Sequence, residues 1–304
     1  MDLPARVTIR EVGTRDGIQS LGAFVATEHK IEMNNRLAHA GLTRIEATSF
    51  VSPRAVPQMA DAAEVMAGID RIPGVSWEPL VPNVGGTLRA LETKPDRLLV
   101  VLAASDTFNQ KNIRMTVEQS LGVIEEIAPL TRSAGVPFIG AIATSFGCPY
   151  EGEVPEARLF DTVGRLLELG ADEIELADTT GMANPLQIER TVGRARDRWP
   201  DVAFALHFHN TRGMGLANVL AGLRVGVATY DASIGGIGGC PFAPKATGNV
   251  CTEDLVHMLH EMGIQTGTDL DALIQCAQRM SEILGRELPG QVMKAGPRSA
   301  RHAA

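Results

Sequence analysis

Short apolar runs alternate with longer amphipathic stretches along the whole chain. Two of the runs, 98–102 (LLVVL) and 202–206 (VAFAL), are almost continuously apolar, which is typical of strands buried on both faces of a parallel sheet. Eight such runs have the length and β-branched content of strands, and they begin near Val7, Thr43, Ser76, Arg97, Pro137, Asp172, Val202 and Ala228. The pattern therefore predicts eight strand–helix units.

The stretches between these runs carry helical periodicity and helix-end residues. Residues 27–40 place Ile31 and Leu37 among polar neighbours, which favours an amphipathic helix. Residues 116–133 begin at Thr116, with Gln119 three residues later as in a capping box. The helices are expected to end at glycines that precede the next strand, namely Gly41, Gly135, Gly170 and Gly226.

This alternation favours the α/β class and a single-domain (β/α)8 TIM barrel. The chain has 304 residues, of which 44% are hydrophobic and 21% charged, enough for one large core and eight units. A doubly wound sheet is the alternative, but it would need fewer strands or a second domain. We predict a barrel over residues 1–287 and a flexible C-terminal tail over residues 288–304, which are rich in Gly, Pro, Arg and Ala.

Charge and cysteine content narrow the classes of function. The net charge of −8 argues against a nucleic-acid partner, which would require a basic face. Neither a membrane span of about 18 apolar residues nor a secretory signal is visible, so we expect a cytoplasmic protein without a membrane partner. The cysteines match no metal-binding spacing and are expected to be reduced; they are Cys148, Cys240, Cys251 and Cys276.

Unusual polar residues follow strands 1 and 2, at the barrel end where TIM-barrel active sites lie. In residues 13–17 (GTRDG), Arg15 is suited to hold an oxyanion and Asp16 a cation; a surface ion pair is the alternative. Glu46 stands in the apolar second strand and needs a buried cationic partner. Arg15 is the natural partner, although a purely structural pair would have the same pattern.

The end of strand 7 offers the clearest metal-binding signal. His207 and His209 are two residues apart, so their imidazoles face the same side of the strand; two ordinary core histidines are the alternative. Asn249 stands near the start of the last helix and is either a further ligand or a helix cap. Together with Asp16 these groups suit octahedral Mg²⁺ or Mn²⁺ better than Zn²⁺.

A glycine-rich segment follows strand 8. Residues 235–239 (GGIGG) precede Cys240 and Pro241. Such a loop approaches ligands closely and moves, which makes Cys240 a candidate for proton transfer. A phosphate-binding loop with an incidental cysteine is the rival interpretation.

Taken together, these residues resemble the 3-hydroxy-3-methylglutaryl-CoA lyase family of the DRE-TIM metallolyases. The resemblance covers the chain from about Val7 to Gly285. The motifs that carry it are residues 15–17 (RDG), 45–53 (IEATSFVSP), 56–59 (VPQM), 147–152 (GCPYEG), 238–241 (GGCP) and 248–249 (GN). Each motif is weak alone, but in this order they are specific.

The resemblance implies a carbon–carbon lyase that cleaves (S)-3-hydroxy-3-methylglutaryl-CoA by a retro-Claisen reaction. It also implies an acyl-CoA substrate, a divalent Mg²⁺ or Mn²⁺ ion, and a homodimer. The ion would be bound by Asp16, His207, His209 and Asn249. Catalytic roles would fall to Arg15, at the enolate oxygen, and to Cys240, Asp16, His207 and Glu46, with His207 and Asp16 both candidates for the base. Substrate contacts would come from Arg15, Gln19, Ser49, Asn83, Thr144, Asp178 and Arg212, with Glu253 in support.

The sequence departs from the family pattern after the histidines. Residues 209–213 read HNTRG where the family usually has HDTYG, so Asn210 and Arg212 make a related substrate such as citramalyl-CoA the alternative. A condensing enzyme of the same superfamily and a non-catalytic binding barrel are further alternatives. A Schiff-base aldolase would need a lysine in a strand, whereas helices or loops are predicted for Lys30, Lys94, Lys111, Lys245 and Lys294.

Overall fold

Eight parallel strands form the barrel that the apolar runs predict. The computed structural model describes residues 3–239 and 248–300. Each strand begins within one residue of its predicted start. The strands are β1 (Thr8–Glu11), β2 (Arg44–Ile45), β3 (Ser76–Trp77), β4 (Leu98–Ala103), β5 (Phe138–Ala143), β6 (Glu173–Asp178), β7 (Ala203–Phe208) and β8 (Thr229–Ala232).

Backbone hydrogen bonds close the sheet on itself. The strand order is β3-β2-β1-β8-β7-β6-β5-β4, and every neighbouring pair is parallel. A parallel bridge between Leu80 and Leu99 joins the two ends. There the N–H of Val81 donates to the carbonyl of Leu99 at 2.8 Å, and the N–H of Leu99 donates to that of Pro79 at 3.1 Å. The predicted (β/α)8 class is confirmed, and the alternative of a doubly wound sheet is excluded.

Helices cover the outside of the barrel, and their ends follow the sequence signals. Thr116 and Gln119 form the predicted capping box, and Gly135 ends the same helix in the left-handed conformation at φ 67°. The helices are α1 (Thr27–His39), α2 (Ala62–Gly68), α3 (Val84–Glu92), α4 (Asp106–Ile113), α5 (Val117–Ala134), α6 (Glu156–Glu168), α7 (Pro185–Arg198), α8 (Gly215–Arg224), α9 (Thr252–Glu261), α10 (Leu270–Leu284) and α11 (Val292–Ala295).

The barrel interior contains a layer of buried charges as well as apolar side chains. Arg10 on β1 is fully buried and lies 3.6 Å from carboxylate oxygens of both Glu78 and Glu173. It also pairs with Glu175 on β6 and Asp231 on β8. The apolar runs did not predict this layer; its residues are packed against one another as ion pairs, as buried charges must be.

Packing continues past residue 287, where the predicted tail begins. Leu288 is buried, and the carboxylate of Asp254 accepts the backbone N–H groups of Gln291 and Val292. These contacts attach the segment that contains α11 to the start of α9. Among the helices of residues 3–239 and 248–300, none is long and apolar enough to cross a bilayer.

Candidate active site

The loop after β1 is a single buried π-helical turn, Gly13–Gly17. Such turns are rare and are frequent at functional sites. The Glu11 carboxylate fixes it: Oε1 accepts the N–H of Gly13 at 2.7 Å and that of Ile234 at 2.8 Å, and Oε2 accepts the hydroxyl of Thr252 at 2.6 Å. Glu11 thereby ties together the loops after β1 and β8 and the start of α9. Sequence analysis missed it, although a carboxylate at the end of an apolar strand is the same signal that identified Glu46.

The π-turn presents Arg15, which pairs with Glu46 as the sequence predicts. Nε and Nη2 of Arg15 each lie 2.6 Å from a Glu46 oxygen, and Nη1 donates to Oδ1 of Asp16 at 2.8 Å. Burial raises the pKa of Glu46 to about 7 against the opposing charge of Arg15. β2 ends at Ile45, so Glu46 lies one residue beyond the strand. Since a guanidinium has five N–H groups, those three contacts leave two for an incoming oxygen.

Three of the four predicted metal ligands converge at the end of β7. The ligand atoms of Asp16, His207 and His209 all lie within 4.8 Å of one another, and the three residues are buried. The two imidazole centroids are 5.1 Å apart. Nε2 of His209 lies 3.9 Å from Oδ2 of Asp16. The imidazoles of His207 and His209 therefore lie side by side, as the His-x-His pattern predicts.

Asn249 completes a donor set that fits a hard divalent ion. Its Nδ2 donates to Oδ2 of Asp16 at 2.8 Å, and its backbone bridges to His209. Its buried Oδ1 has no hydrogen-bond partner within the described part of the chain. An unused amide oxygen beside a carboxylate and two imidazoles suits Mg²⁺ or Mn²⁺. Cys251, not Asn249, stands at the N-cap of α9, so the helix-cap alternative for Asn249 is excluded.

His207 is held by a partner that sequence analysis missed. Its Nδ1 lies 3.0 Å from Oδ2 of Asp231. Burial lowers the pKa of His207, but the hydrogen bond and charge of Asp231 outweigh it and the net shift is upward. Asp231 in turn accepts Nη2 of Arg10 at 2.9 Å. The signal for both residues was a charged side chain inside a short buried strand.

Three predicted substrate residues line the same end of the barrel. Nε2 of Gln19 donates to Oδ1 of Asp16 at 2.7 Å. Ser49 and Thr144 follow β2 and β5, and their hydroxyls are buried without a partner among residues 3–239 and 248–300. Thr144 has a φ of 55°, which is a strained conformation for a β-branched residue and is concentrated at functional sites.

Asp178 and Arg212 hold the turn after β6. The carboxylate of Asp178 accepts the N–H groups of Met182 at 2.7 Å and Ala183 at 3.1 Å, and burial raises its pKa to about 6. Nη1 of Arg212 donates to the carbonyls of Thr180 and Gly181, both at 2.9 Å. Arg212 is thus used as a clamp on the turn that carries Asp178.

The remaining predicted residues are Asn83, Glu253 and Cys240. Asn83 is exposed and caps α3, where its Oδ1 accepts the N–H of Gly86 at 2.9 Å; its substrate contact stays a prediction. Glu253 accepts the N–H of Gly235 at 3.0 Å and so supports the glycine-rich segment from α9. Cys240 lies outside the described residues.

Comparisons with known proteins agree over nearly the whole chain. The family model described as HMGL-like matches residues 6–280. Hydroxymethylglutaryl-CoA lyase YngG of Bacillus subtilis is 42% identical over 96% of this chain and 97% of its own. The mitochondrial hydroxymethylglutaryl-CoA lyase of Gallus gallus is 42% identical over 97% and 99%. A solved HMG-CoA lyase from Acinetobacter baumannii, in complex with coenzyme A and 3-methylmalate, superposes with a TM-score of 0.96 at 46% identity over 100% and 99% of the two chains.

Proposed function

The chain belongs to the HMGL-like family, and from this membership and the geometry of the site we propose that it is a lyase that cleaves 3-hydroxy-3-methylglutaryl-CoA to acetyl-CoA and acetoacetate. One observation carries the proposal: Asp16, His207 and His209 converge beside the fixed guanidinium of Arg15. The bond to be broken joins a tertiary alcohol carbon to the carbon next to the thioester. Cleavage therefore needs a site for the alcohol and carboxylate oxygens and another for the thioester oxygen.

The first site is the group of proposed metal ligands. Asp16, His207, His209 and Asn249 would hold Mg²⁺ or Mn²⁺, which when bound supplies a Lewis acid towards substrate oxygens. Gln19 and Arg15 both donate a hydrogen bond to the same oxygen of Asp16, Oδ1. The other oxygen, Oδ2, accepts from Asn249 and would bind the ion.

The second site is Arg15. Breaking the bond leaves an enolate on the thioester, and a pre-positioned cation stabilises that charge without reorganisation. Both carboxylate oxygens of Glu46 contact the guanidinium, so Arg15 keeps one orientation in the absence of substrate. Its remaining N–H groups would bind the thioester oxygen.

Two proton transfers complete the reaction. The hydroxyl proton would pass to Asp16 or His207, two of the three titratable ligands. His207 could accept it only on Nε2, and only while that nitrogen is not bound to the ion, because its Nδ1 faces Asp231. The enolate carbon must then be protonated, and Cys240 on the glycine-rich segment is the donor we propose. Glu253 holds the base of that segment through the N–H of Gly235.

A panel of acyl-CoA thioesters tests the proposal. In the presence of Mn²⁺, 3-hydroxy-3-methylglutaryl-CoA should be cleaved, and mass spectrometry should identify acetyl-CoA and acetoacetate. The matched control is 3-methylglutaryl-CoA, which lacks the hydroxyl and should be inert. Absence of cleavage across the hydroxylated thioesters, with metal shown to be bound, would overturn the proposal.

A second candidate substrate is citramalyl-CoA, whose carboxylate lies one carbon closer to the hydroxyl. Arg212 favours this shorter substrate, because the arginine places a cation beside Asp178 at a position where the family usually has tyrosine. A single methylene changes specificity by roughly 10- to 200-fold, so Arg212→Tyr should shift the ratio of kcat/KM between the two substrates by about tenfold or more. Arg212→Lys, which keeps the cation, is the control. If the ratio of kcat/KM values is unchanged in Arg212→Tyr, Arg212 does not select the substrate and only holds the turn after β6 through its hydrogen bonds to Thr180 and Gly181.

A further inference from the structure

We infer that Asp231 is a positioning residue that keeps the proton of His207 on Nδ1 and so leaves Nε2 as the nitrogen that binds the ion. The inference rests on the proposed metal site, and it concerns how that site is prepared before an ion enters. Asp231 makes no contact with the ligand group except through His207 among the hydrogen bonds of the described residues.

The contact is short and buried. Nδ1 of His207 lies 3.0 Å from Oδ2 of Asp231, and the side chains are 8% and 3% exposed. An ionised carboxylate only accepts hydrogen bonds. The proton in this contact must therefore reside on Nδ1 of His207. In the neutral imidazole, the form that can bind an ion, Nε2 is then the unprotonated nitrogen.

Arg10 keeps Asp231 in the accepting state. Its Nη2 lies 2.7 Å from Oδ1 and 2.9 Å from Oδ2 of Asp231, so both carboxylate oxygens face the same cation. The register of the barrel sets up this contact, because Arg10 on β1 is the pairing partner of Asp231 on β8. Leu206 on β7 pairs with Tyr230, which places His207 next to Asp231 on the other side.

Replacement of Asp231 by asparagine should reverse the tautomer. An amide nitrogen in the position of Oδ2 would donate to Nδ1 of His207, and the imidazole proton would move to Nε2, where it blocks a ligand. Loss of a carboxylate that orients a ligand histidine typically weakens metal binding by about 10- to 100-fold. An effect through packing alone would not move the proton.

Glu175→Gln is the matched control. Glu175 pairs with the same nitrogen of Arg10 and is as deeply buried as Asp231, but among the hydrogen bonds of the described residues it is Asp231, not Glu175, that accepts from His207. Mn²⁺ binding without substrate is measured by electron paramagnetic resonance of the free ion. We expect Asp231→Asn to bind about 10- to 100-fold more weakly than the wild type, and Glu175→Gln to stay within about threefold. Equal losses in both variants, or none in Asp231→Asn, would overturn the inference.

The tautomer is measured directly on the metal-free wild-type protein, so the test does not depend on a variant that folds. Long-range ¹H–¹⁵N spectra distinguish the two nitrogens, and the His207 signals are those absent from His207→Gln. We expect the neutral imidazole of His207 to carry its proton on Nδ1; a neutral imidazole with its proton on Nε2 would overturn the inference. Failure of the wild type to bind Mn²⁺ would instead count against the proposed metal site, so the two failures are distinguishable.

Discussion

Buried carboxylates dominate the site at the scale of single residues. Burial raises the pKa of Glu11, Glu46 and Glu253 to about 7 and that of Asp178 to about 6. Each accepts hydrogen bonds that hold a loop at the end of the barrel. These residues place the groups proposed to bind metal and substrate, and their ionisation is disfavoured in the folded protein.

Glu11 gives a testable pH dependence of stability. Its folded pKa of about 7 lies above the ordinary value of 4.5, so its contribution to stability is complete below pH 4.5 and is lost as the pH rises through 7. A shift of this size corresponds to about 3 kcal/mol at most. Glu11→Gln keeps acceptors for Gly13 and Ile234 and donates to Thr252, but cannot ionise.

We therefore expect the urea midpoint of Glu11→Gln, measured relative to that of the wild type, to rise between pH 5 and pH 8. Measuring both proteins at each pH cancels the titration of the other carboxylates. A difference between the two midpoints that stays constant with pH would contradict the account of Glu11.

Cys240 gives a second prediction at this scale. The three cysteines within the described residues, Cys148, Cys251 and Cys276, are all buried, and burial raises the pKa of Cys276 to about 12. Cys240 should thus be alkylated first, with protection by bound substrate. Cys240→Ser should lower kcat by roughly 10²- to 10⁴-fold, the usual range for a lost general acid, with Cys276→Ser as the unaffected control. If the kcat of Cys240→Ser stays within a few-fold of the wild-type value, a group other than Cys240 protonates the enolate carbon.

At the scale of elements, the π-turn has no room for added volume. A Cβ on Gly17 would lie 2.6 Å from Cγ1 of Ile237 and 2.9 Å from Oγ of Ser233, and both neighbours are fully buried. Overpacking of this kind costs roughly 1–3 kcal/mol. Gly17→Ala should therefore displace Asp16 and weaken Mn²⁺ binding, by about tenfold for each 1.4 kcal/mol.

Gly22→Ala is the control, since a Cβ there meets nothing within 4 Å. It should bind Mn²⁺ as the wild type does. Calorimetric titration of both variants checks the prediction. Equal affinity in Gly17→Ala and Gly22→Ala would show that the turn tolerates the methyl group and does not set the position of Asp16.

The elements show why the sequence predicted some features and missed others. Strand starts and the Thr116 capping box are local patterns, and the structure confirms them. The π-turn depends on Glu11 contacts to Ile234 and Thr252, more than 220 residues away along the chain. Such contacts leave no periodicity to detect. The charged layer around Arg10 was missed for the same reason.

At the scale of the whole molecule, the barrel brings distant chain segments to one end. Asp16 and Asn249 come from the segments after β1 and β8, whereas His207 lies in β7 itself. Only the His-x-His spacing is a local pattern in the sequence. These ligands meet because β1, β8 and β7 are neighbours in the sheet. The homodimer inferred from family resemblance stays a prediction, which the molar mass in solution by light scattering checks.

Metal dependence tests the central claim most directly. The protein is stripped with a chelator, shown free of metal by elemental analysis, and assayed for acetoacetate from 3-hydroxy-3-methylglutaryl-CoA. Activity should fall to background and return with Mn²⁺ or Mg²⁺, and His209→Ala should raise the metal concentration needed for half-maximal activity by on the order of tenfold or more. Cleavage at the full rate by metal-free protein would contradict the account.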